Sequence, residues 1–202
     1  YMVSLVARYD GISKLSDNRW GFFPGISAGW NVHEEAFFKD SKFAEVVSLI
    51  KPRISYGLNG NVNGIGNFDV YGKYGSVGAY NGNLGYLNTG VVNSKLRWEK
   101  SHTFELGLDL GFFNNRIHMI MDYYDRTTSD LLTDVNLPEY TGFPSFKTNL
   151  GTISNRGFEL EAKVNLLTRK DWSWDVTANT SFVKNMVKKL PFNGNANNRQ
   201  GG

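Results

Sequence analysis

Residues 103–113 read Thr-Phe-Glu-Leu-Gly-Leu-Asp-Leu-Gly-Phe-Phe, with Phe104, Leu106, Leu108, Leu110 and Phe112 at every second position. Side chains alternate across an extended chain, so a strand here has one apolar face and one face of Thr, Glu, Gly and Asp. The same period returns at Tyr1–Tyr9, Phe22–Val32, Ile54–Leu58, Ile117–Tyr123, Phe158–Leu166 and Trp172–Phe182. About seven strands of this kind predict an all-β, antiparallel architecture. Two environments accept such strands: a soluble sheet with one face on a core, or a membrane barrel with lipid outside and water inside.

Composition narrows the classes without choosing between those two. The chain is 41% hydrophobic with a mean hydropathy of -0.36, and no continuous apolar run is long enough for a spanning helix. Transmembrane strands give no hydropathy peak, because half their residues face a polar interior. An aromatic fraction of 14% and 22 Gly suit interfacial girdles and long loops, and equally a soluble β binding protein. The sequence has no Cys, which removes disulfides, thiolate metal sites and cysteine nucleophiles. A formal charge of +3, scattered along the chain, does not point to nucleic acid.

The segments between strands differ in kind. Asp40 to Ile50 breaks the period, with Phe43, Val46, Val47 and Ile50 at helical spacing and Asp40 or Ser41 as N-cap, predicting one short helix. Asn114-Asn115-Arg116 and Thr168–Asp171 predict tight turns. Residues 10–20, 60–101 and 126–154 read as long loops, and a Gly/Asn-rich tail begins at Asn193. With 33–50 counted among the short or compact connections beside 114–116 and 168–171, short and long connections alternate strictly, which in an up-and-down meander collects the long loops at one end. Bacterial outer-membrane barrels sort their loops in this way, whereas a Greek-key sandwich seldom does. The sequence opens at Tyr1-Met2-Val3 already inside a strand pattern and stops at Gly201-Gly202, so an internal piece of a longer polypeptide is expected.

Ordered motifs sharpen this reading. Arg8-Tyr-Asp-Gly-Ile-Ser-Lys-Leu, followed by Asn18-Arg-Trp-Gly-Phe-Phe-Pro-Gly-Ile-Ser-Ala-Gly-Trp, resembles the signature region of SusC/RagA-like TonB-dependent outer-membrane transporters. Arg53-Ile-Ser-Tyr-Gly-Leu-Asn-Gly-Asn, Leu96-Arg-Trp-Glu-Lys, Thr103–Asp109, Tyr123-Tyr124 with Thr127–Leu132, and Asn155-Arg-Gly-Phe-Glu-Leu follow in the same order. Ile12 and Gly25 depart from the pattern, where Ser is the more frequent residue. The resemblance implies that residues 1–202 are part of the C-terminal β-barrel domain, about seven strands of a 22-stranded transmembrane barrel. It places long loops outside the cell and short turns in the periplasm, with plug domain, TonB box and signal peptide outside this chain. It further implies multi-pass residence in the bacterial outer membrane and import driven through the TonB complex. A SusD-like surface lipoprotein would close over the mouth. Oligosaccharides from glycan breakdown are the first substrate class implied and peptides the second. No cofactor, metal or covalent chemistry is implied.

Candidate residues follow from face and loop. Phe104, Leu106, Leu108, Leu110, Phe158 and Leu160 would meet lipid in a barrel and a core in a soluble protein. Glu105, Asp109, Glu159, Glu161 and Lys163 would face the lumen, touching substrate or plug, or standing as solvated, cross-strand-paired wall residues. Tyr71, Tyr74, Tyr80 and Tyr86 punctuate a Gly/Asn-rich loop, where flat rings beside amides suit sugar faces and hydroxyls; loop packing or lid contact is the plainer role. Trp20, Trp30, Trp98, Trp172 and Trp174 sit near strand ends, as an interfacial girdle would. His33, His102 and His118 lack metal-ligand spacing, and no catalytic residue is assigned. A soluble carbohydrate-binding β protein and a β-structured glycosidase are the competing hypotheses.

Overall fold

The protein's computed structural model describes residues 1–191, so the tail expected from Asn193 lies outside the described residues. The strands, in chain order, are β1 (Met2–Gly11), β2 (Trp20–Gly29), β3 (Val47–Asn61), β4 (Tyr74–Tyr80), β5 (Asn83–Asn88), β6 (Glu99–Phe112), β7 (Ile117–Asn136), β8 (Ser145–Thr168) and β9 (Ser173–Lys189). Seven of them form one antiparallel sheet in the order β1-β2-β3-β6-β7-β8-β9, and β4-β5 is a separate hairpin. Apart from that hairpin, each strand pairs with its neighbours in sequence, as an up-and-down meander requires. The sheet is open, with β1 and β9 at its edges.

Register fixes the two faces. On one face the row Ile54–Leu106–Tyr123–Phe158–Phe182 is followed by Pro52–Leu108–Met121–Leu160–Thr180 and Ile50–Leu110–Met119–Ala162–Ala178. Val3–Ala28, Leu5–Ile26 and Ala7–Pro24 continue this face across β1 and β2. No charged side chain interrupts these rows. The opposite face carries Glu105, Asp109, Asp122, Glu159, Glu161 and Lys163 at the intervening positions. No second layer covers the apolar face: Leu5 is 75% exposed, Leu106 45% and Phe158 39%. An uncovered apolar face this wide is not stable against water.

Aromatics bracket the apolar face. Tyr9 stacks on Trp20 with centroids 5.1 Å apart, at the end carrying the connections 12–19, 62–98 and 137–144. Tyr1 stacks on Trp30 at 5.8 Å at the other end, where the connections are 30–46, 113–116 and 169–172. Trp172 and Trp174 also lie at that second end, both exposed. Trp98 departs from the expected girdle: it is buried in a cluster with Leu15, Phe23, Ile65, Val70 and Leu96. That cluster holds every buried apolar side chain among the described residues. It forms where β2 and β3 part, since they pair only over Gly25–Gly29 and Arg53–Gly57. Phe23 fills the widening seam, its ring meeting Trp98 edge-on at 5.3 Å. Burying such a side chain contributes roughly 1.5–3 kcal/mol, so the cluster fastens the loops 12–19 and 62–98 to the strands.

Three expectations about the connections need correction. Residues 126–154 are mostly strand: β7 runs 20 residues and β8 runs 24, leaving only 137–144 between them. A bulge at Asp130, whose φ is 57, and a second register shift near Leu150 reset the alternation, which is why the period fades there while pairing continues. The single helix expected over 40–50 is instead a one-turn helix α1 (Ala36–Lys39) and a 3-10 turn at Lys42–Glu45. From Val47 the chain is already in β3, where Val47 faces Phe112 and Ile50 faces Leu110. Residues 60–101 are not one loop, because β4-β5 lies inside them. The sorting of lengths is accordingly weaker than the sequence implies, since 30–46 outruns 12–19 and 137–144.

Candidate functional site: the polar face and the loop end

The polar face is organised around Arg53. Its Nη2 donates to Asp109 Oδ1 at 2.8 Å and to Asp122 Oδ1 at 3.0 Å, and its Nε donates to Asp109 Oδ1 at 3.1 Å. These three residues come from β3, β6 and β7, so the cluster ties adjacent strands together across the face. Gly107 makes room for it: a Cβ there would stand 2.7 Å from the Arg53 guanidinium carbon and 2.6 Å from Asp122 Oδ1. Nearby, Ser55 donates to Glu105 at 3.0 Å and Arg126 Nε donates to the Thr103 hydroxyl at 3.3 Å.

Glu159, Glu161 and Lys163 stand on the same face of β8 without an ion pair among the described residues. Glu159 is the cross-strand partner of Asp122, and Glu161 of Ile120. An open groove of about 670 Å³ runs over this wall, lined by Arg53, Thr103, Glu105, Asp122, Arg126 and Glu159 among others. The structure thus brings Glu105, Asp109, Glu159, Glu161 and Lys163 onto one face, and Phe104, Leu106, Leu108, Leu110, Phe158 and Leu160 onto the other. Arg53, Asp122 and Arg126 are not among the lumen candidates named from sequence, although alternation already sets Asp122 on the face opposite Met119, Met121 and Tyr123; Arg126 falls in a segment that reads as loop.

The loop tyrosines do not converge. Tyr74 and Tyr86 lie on one face of the hairpin, whereas the register shift between Ser76 and Gly78 turns Tyr80 to the other. All four, Tyr71 included, are exposed. The hairpin closes through Asn81 and Gly82, both with positive φ (49 and 80), the two-residue turn that Asn-Gly favours. Its base is fixed by Asp69, which pairs with Lys73 at 2.7 Å and Lys147 at 3.3 Å and accepts the Gly66 N–H at 2.8 Å. Burial opposes ionisation of Asp69, but these hydrogen bonds outweigh it and hold the carboxyl at about 2. Asn149, buried on β8, accepts the Arg97 N–H at 3.0 Å and donates to the carbonyls of Arg97 and Asp130 at 2.9 and 2.7 Å. It thereby fastens the approach to β6 onto the bulge of β7.

The histidines serve separate local roles. His33 Nδ1 lies 3.2 Å from the Ile50 carbonyl and His102 Nδ1 2.9 Å from the Tyr56 hydroxyl, with His118 on the polar face opposite Lys163. Among the described residues, no three His, Asp or Glu side chains gather closely enough to hold a metal ion.

Comparison with known proteins places this architecture. Residues 1–201 match the family described as TonB dependent receptor-like, beta-barrel. TonB-dependent receptor P3 of Formosa agariphila is 37% identical over 95% of this chain and 19% of its own length. TonB-dependent receptor SusC of Bacteroides thetaiotaomicron is 36% identical over 94% of this chain and 19% of its own. The solved structure of the RagAB peptide transporter superposes with a TM-score of 0.84 at 31% identity, covering 95% of this chain and 21% of that one. The chain spans about a fifth of the length of the curated relatives it matches. The chain belongs to the TonB-dependent receptor β-barrel family.

Proposed function

We propose that this chain is a stretch of barrel wall in an outer-membrane, TonB-dependent nutrient importer. The observation that carries the reading is the two-faced meander: charge-free rows from Ile54–Phe182 to Ile50–Ala178, backed one residue away by Glu105, Asp109, Asp122, Glu159 and Glu161. Lipid satisfies the first face and a water-filled lumen the second. Phe104, Leu106, Leu108, Leu110, Phe158 and Leu160 are then lipid contacts, and Glu105, Asp109, Glu159, Glu161 and Lys163 line the lumen. The plug, TonB box and signal peptide belong to other parts of the whole protein, and a SusD-like lipoprotein closes its mouth. The wall performs no covalent chemistry; it holds shape while the TonB complex supplies the work.

Oligosaccharides from glycan breakdown are the first substrate class. Tyr71, Tyr74, Tyr80 and Tyr86 support this, as exposed rings among Asn and Gly side chains on the long-loop end. Peptide import is the second reading, favoured by the likeness to the RagAB peptide importer.

The deciding experiment fractionates cells producing the whole protein, extracts the outer membrane in detergent and captures the protein with whatever lipoprotein accompanies it. Recovery in the outer membrane with a lipoprotein, and uptake that collapses with the proton motive force, is the expected result. Recovery as a free soluble protein overturns it. Competition between an oligosaccharide mixture and a peptide mixture for uptake then separates the two substrate classes.

A further inference from the structure

We infer that the outward face, just beyond the apolar rows at the long-loop end, binds the phosphate of an outer-leaflet lipid through Arg156 and Lys184. The inference rests on the membrane reading above and goes beyond it by naming a headgroup site. Following each strand toward the long-loop end, the first charged residues on the apolar face are Asp125 on β7, Arg156 on β8 and Lys184 on β9. They occupy one row, immediately past Tyr123–Phe158–Phe182. A membrane boundary belongs at that step, with aromatic rings below and charge above.

Among the described residues the row carries two cations and one carboxylate. Arg156 and Lys184 are direct cross-strand partners, and like charges so placed repel one another. Asp125 is the one carboxylate beside them. It takes Arg156 by Nε, at 2.8 Å to Oδ2, and no hydrogen bond from the two terminal guanidinium nitrogens is seen among the described residues. Arg156 is half-exposed, and Lys184 on the edge strand β9 is exposed beside it, its inner neighbour being Arg156 itself. Further along the same face Lys188 donates to Thr127 at 3.2 Å, adding a third cation. A guanidinium oriented by its inner edge presents its outer edge to an anion in the forked geometry that phosphate oxygens fit, and a lysine beside it supplies a second positive charge. A soluble anion would find the same groups. Continuity with the lipid-facing rows selects a lipid, because its acyl chains lie along Phe158 and Phe182 while its phosphate reaches the row above.

The test uses the whole transporter in phosphatidylcholine nanodiscs doped with lipid A that carries or lacks its phosphates, with bound lipid counted by native mass spectrometry. Wild-type protein is expected to retain the phosphorylated form at least about tenfold better than the dephosphorylated one. Arg156→Gln with Lys184→Gln should erase that preference while leaving phosphatidylcholine retention unchanged. Lys184→Gln alone, which removes no hydrogen bond or ion pair among the described residues, should lower the preference severalfold and serves where the double variant fails to fold. Equal retention of both lipids by the wild type, or an unchanged preference in Lys184→Gln, overturns the proposal. So does full displacement by inorganic phosphate, which would mark a soluble-anion site. A wild-type protein that does not enter nanodiscs at all refutes the membrane reading instead, so the two failures are distinct.

Discussion

Ile120 and Met121 are adjacent, apolar and similar in size, yet they should respond oppositely to the same substitution. Met121 sits between Leu108 and Leu160 on the apolar face, whereas Ile120 sits between Asp109 and Glu161 on the polar one. Met121 is midway between Ile117 and Asp125, which puts it about 14 Å along the strand from either limit at ~3.4 Å per residue. With strands tilted by about 45°, that is about 10 Å of depth on each side, close to the bilayer midplane. Met121→Arg should therefore cost about 2–4 kcal/mol, and Leu108→Arg the same. Ile120→Arg places its guanidinium near two carboxylates in water and should change stability by less than about 1 kcal/mol, in either direction. The assay is reversible guanidinium unfolding of the whole transporter from phospholipid vesicles, followed by tryptophan fluorescence. Equal costs at 120 and 121, or a larger cost at 120, would refute the assignment of the faces.

Arg53→Gln should cost about 1.5–3 kcal/mol in the same assay, since it removes charge-assisted hydrogen bonds to Asp109 and Asp122 and leaves two carboxylates facing each other. Gly107→Val should reproduce that loss without touching a charge, because its side chain takes the space of the guanidinium; a neutral result would show that Arg53 is not held there. Asp69 has its carboxyl depressed from 3.8 to about 2, so its stabilising contribution is complete above 3.8 and disappears as pH falls toward 2. That corresponds to about 2 kcal/mol of local stability, read as faster proteolysis of segment 62–98 by an acid-active protease between pH 4 and 2, and Asp69→Asn should flatten the dependence. Asn149→Ala should loosen the same segment at neutral pH by at least about 2 kcal/mol, visible as faster amide exchange at Arg97, because it orphans the Arg97 and Asp130 backbone groups.

The legible part of this fold is the part where one physical rule acts alone. Along Phe104–Phe112 and Phe158–Leu166 only the pleat decides which side chain meets which medium, so the sequence carries the period openly. It becomes illegible where a second rule intervenes. At Asp130 a bulge shifts the phase, so Leu131 and Leu132 appear as a run although β7 continues through them. At Trp98 tertiary packing overrides the habit of tryptophans to sit at interfaces, because the seam between β2 and β3 needs a large apolar filler. The hairpin β4-β5 had a readable signal in Asn81-Gly82, masked by Gly-rich flanks with weak alternation. Of the polar wall, the carboxylates are visible from alternation. Their organisation around Arg53 is not, because it depends on the register of three strands and on the space above Gly107.

The two ends of the sheet are stabilised by different physics. Through the span the described residues form no protein core; ladder hydrogen bonds hold the strands, and the surrounding medium decides whether the apolar face is tolerated. At the long-loop end the medium is water, and there the described residues build their one packed apolar cluster, from Leu15, Phe23, Ile65, Val70, Leu96 and Trp98. The segments feeding that cluster, 12–19 and 62–98, are thereby fixed to the wall. The hairpin β4-β5 projects from this anchored base with Tyr74, Tyr80, Leu84 and Tyr86 exposed on both of its faces. A two-stranded hairpin of this kind is marginal by itself, so its order depends on the Asp69–Lys73–Lys147 contacts below and on whatever packs against its rings above. The wall is thus held by its own ladders and packed base, whereas the aromatic tip depends on contacts at its base and on what meets its rings.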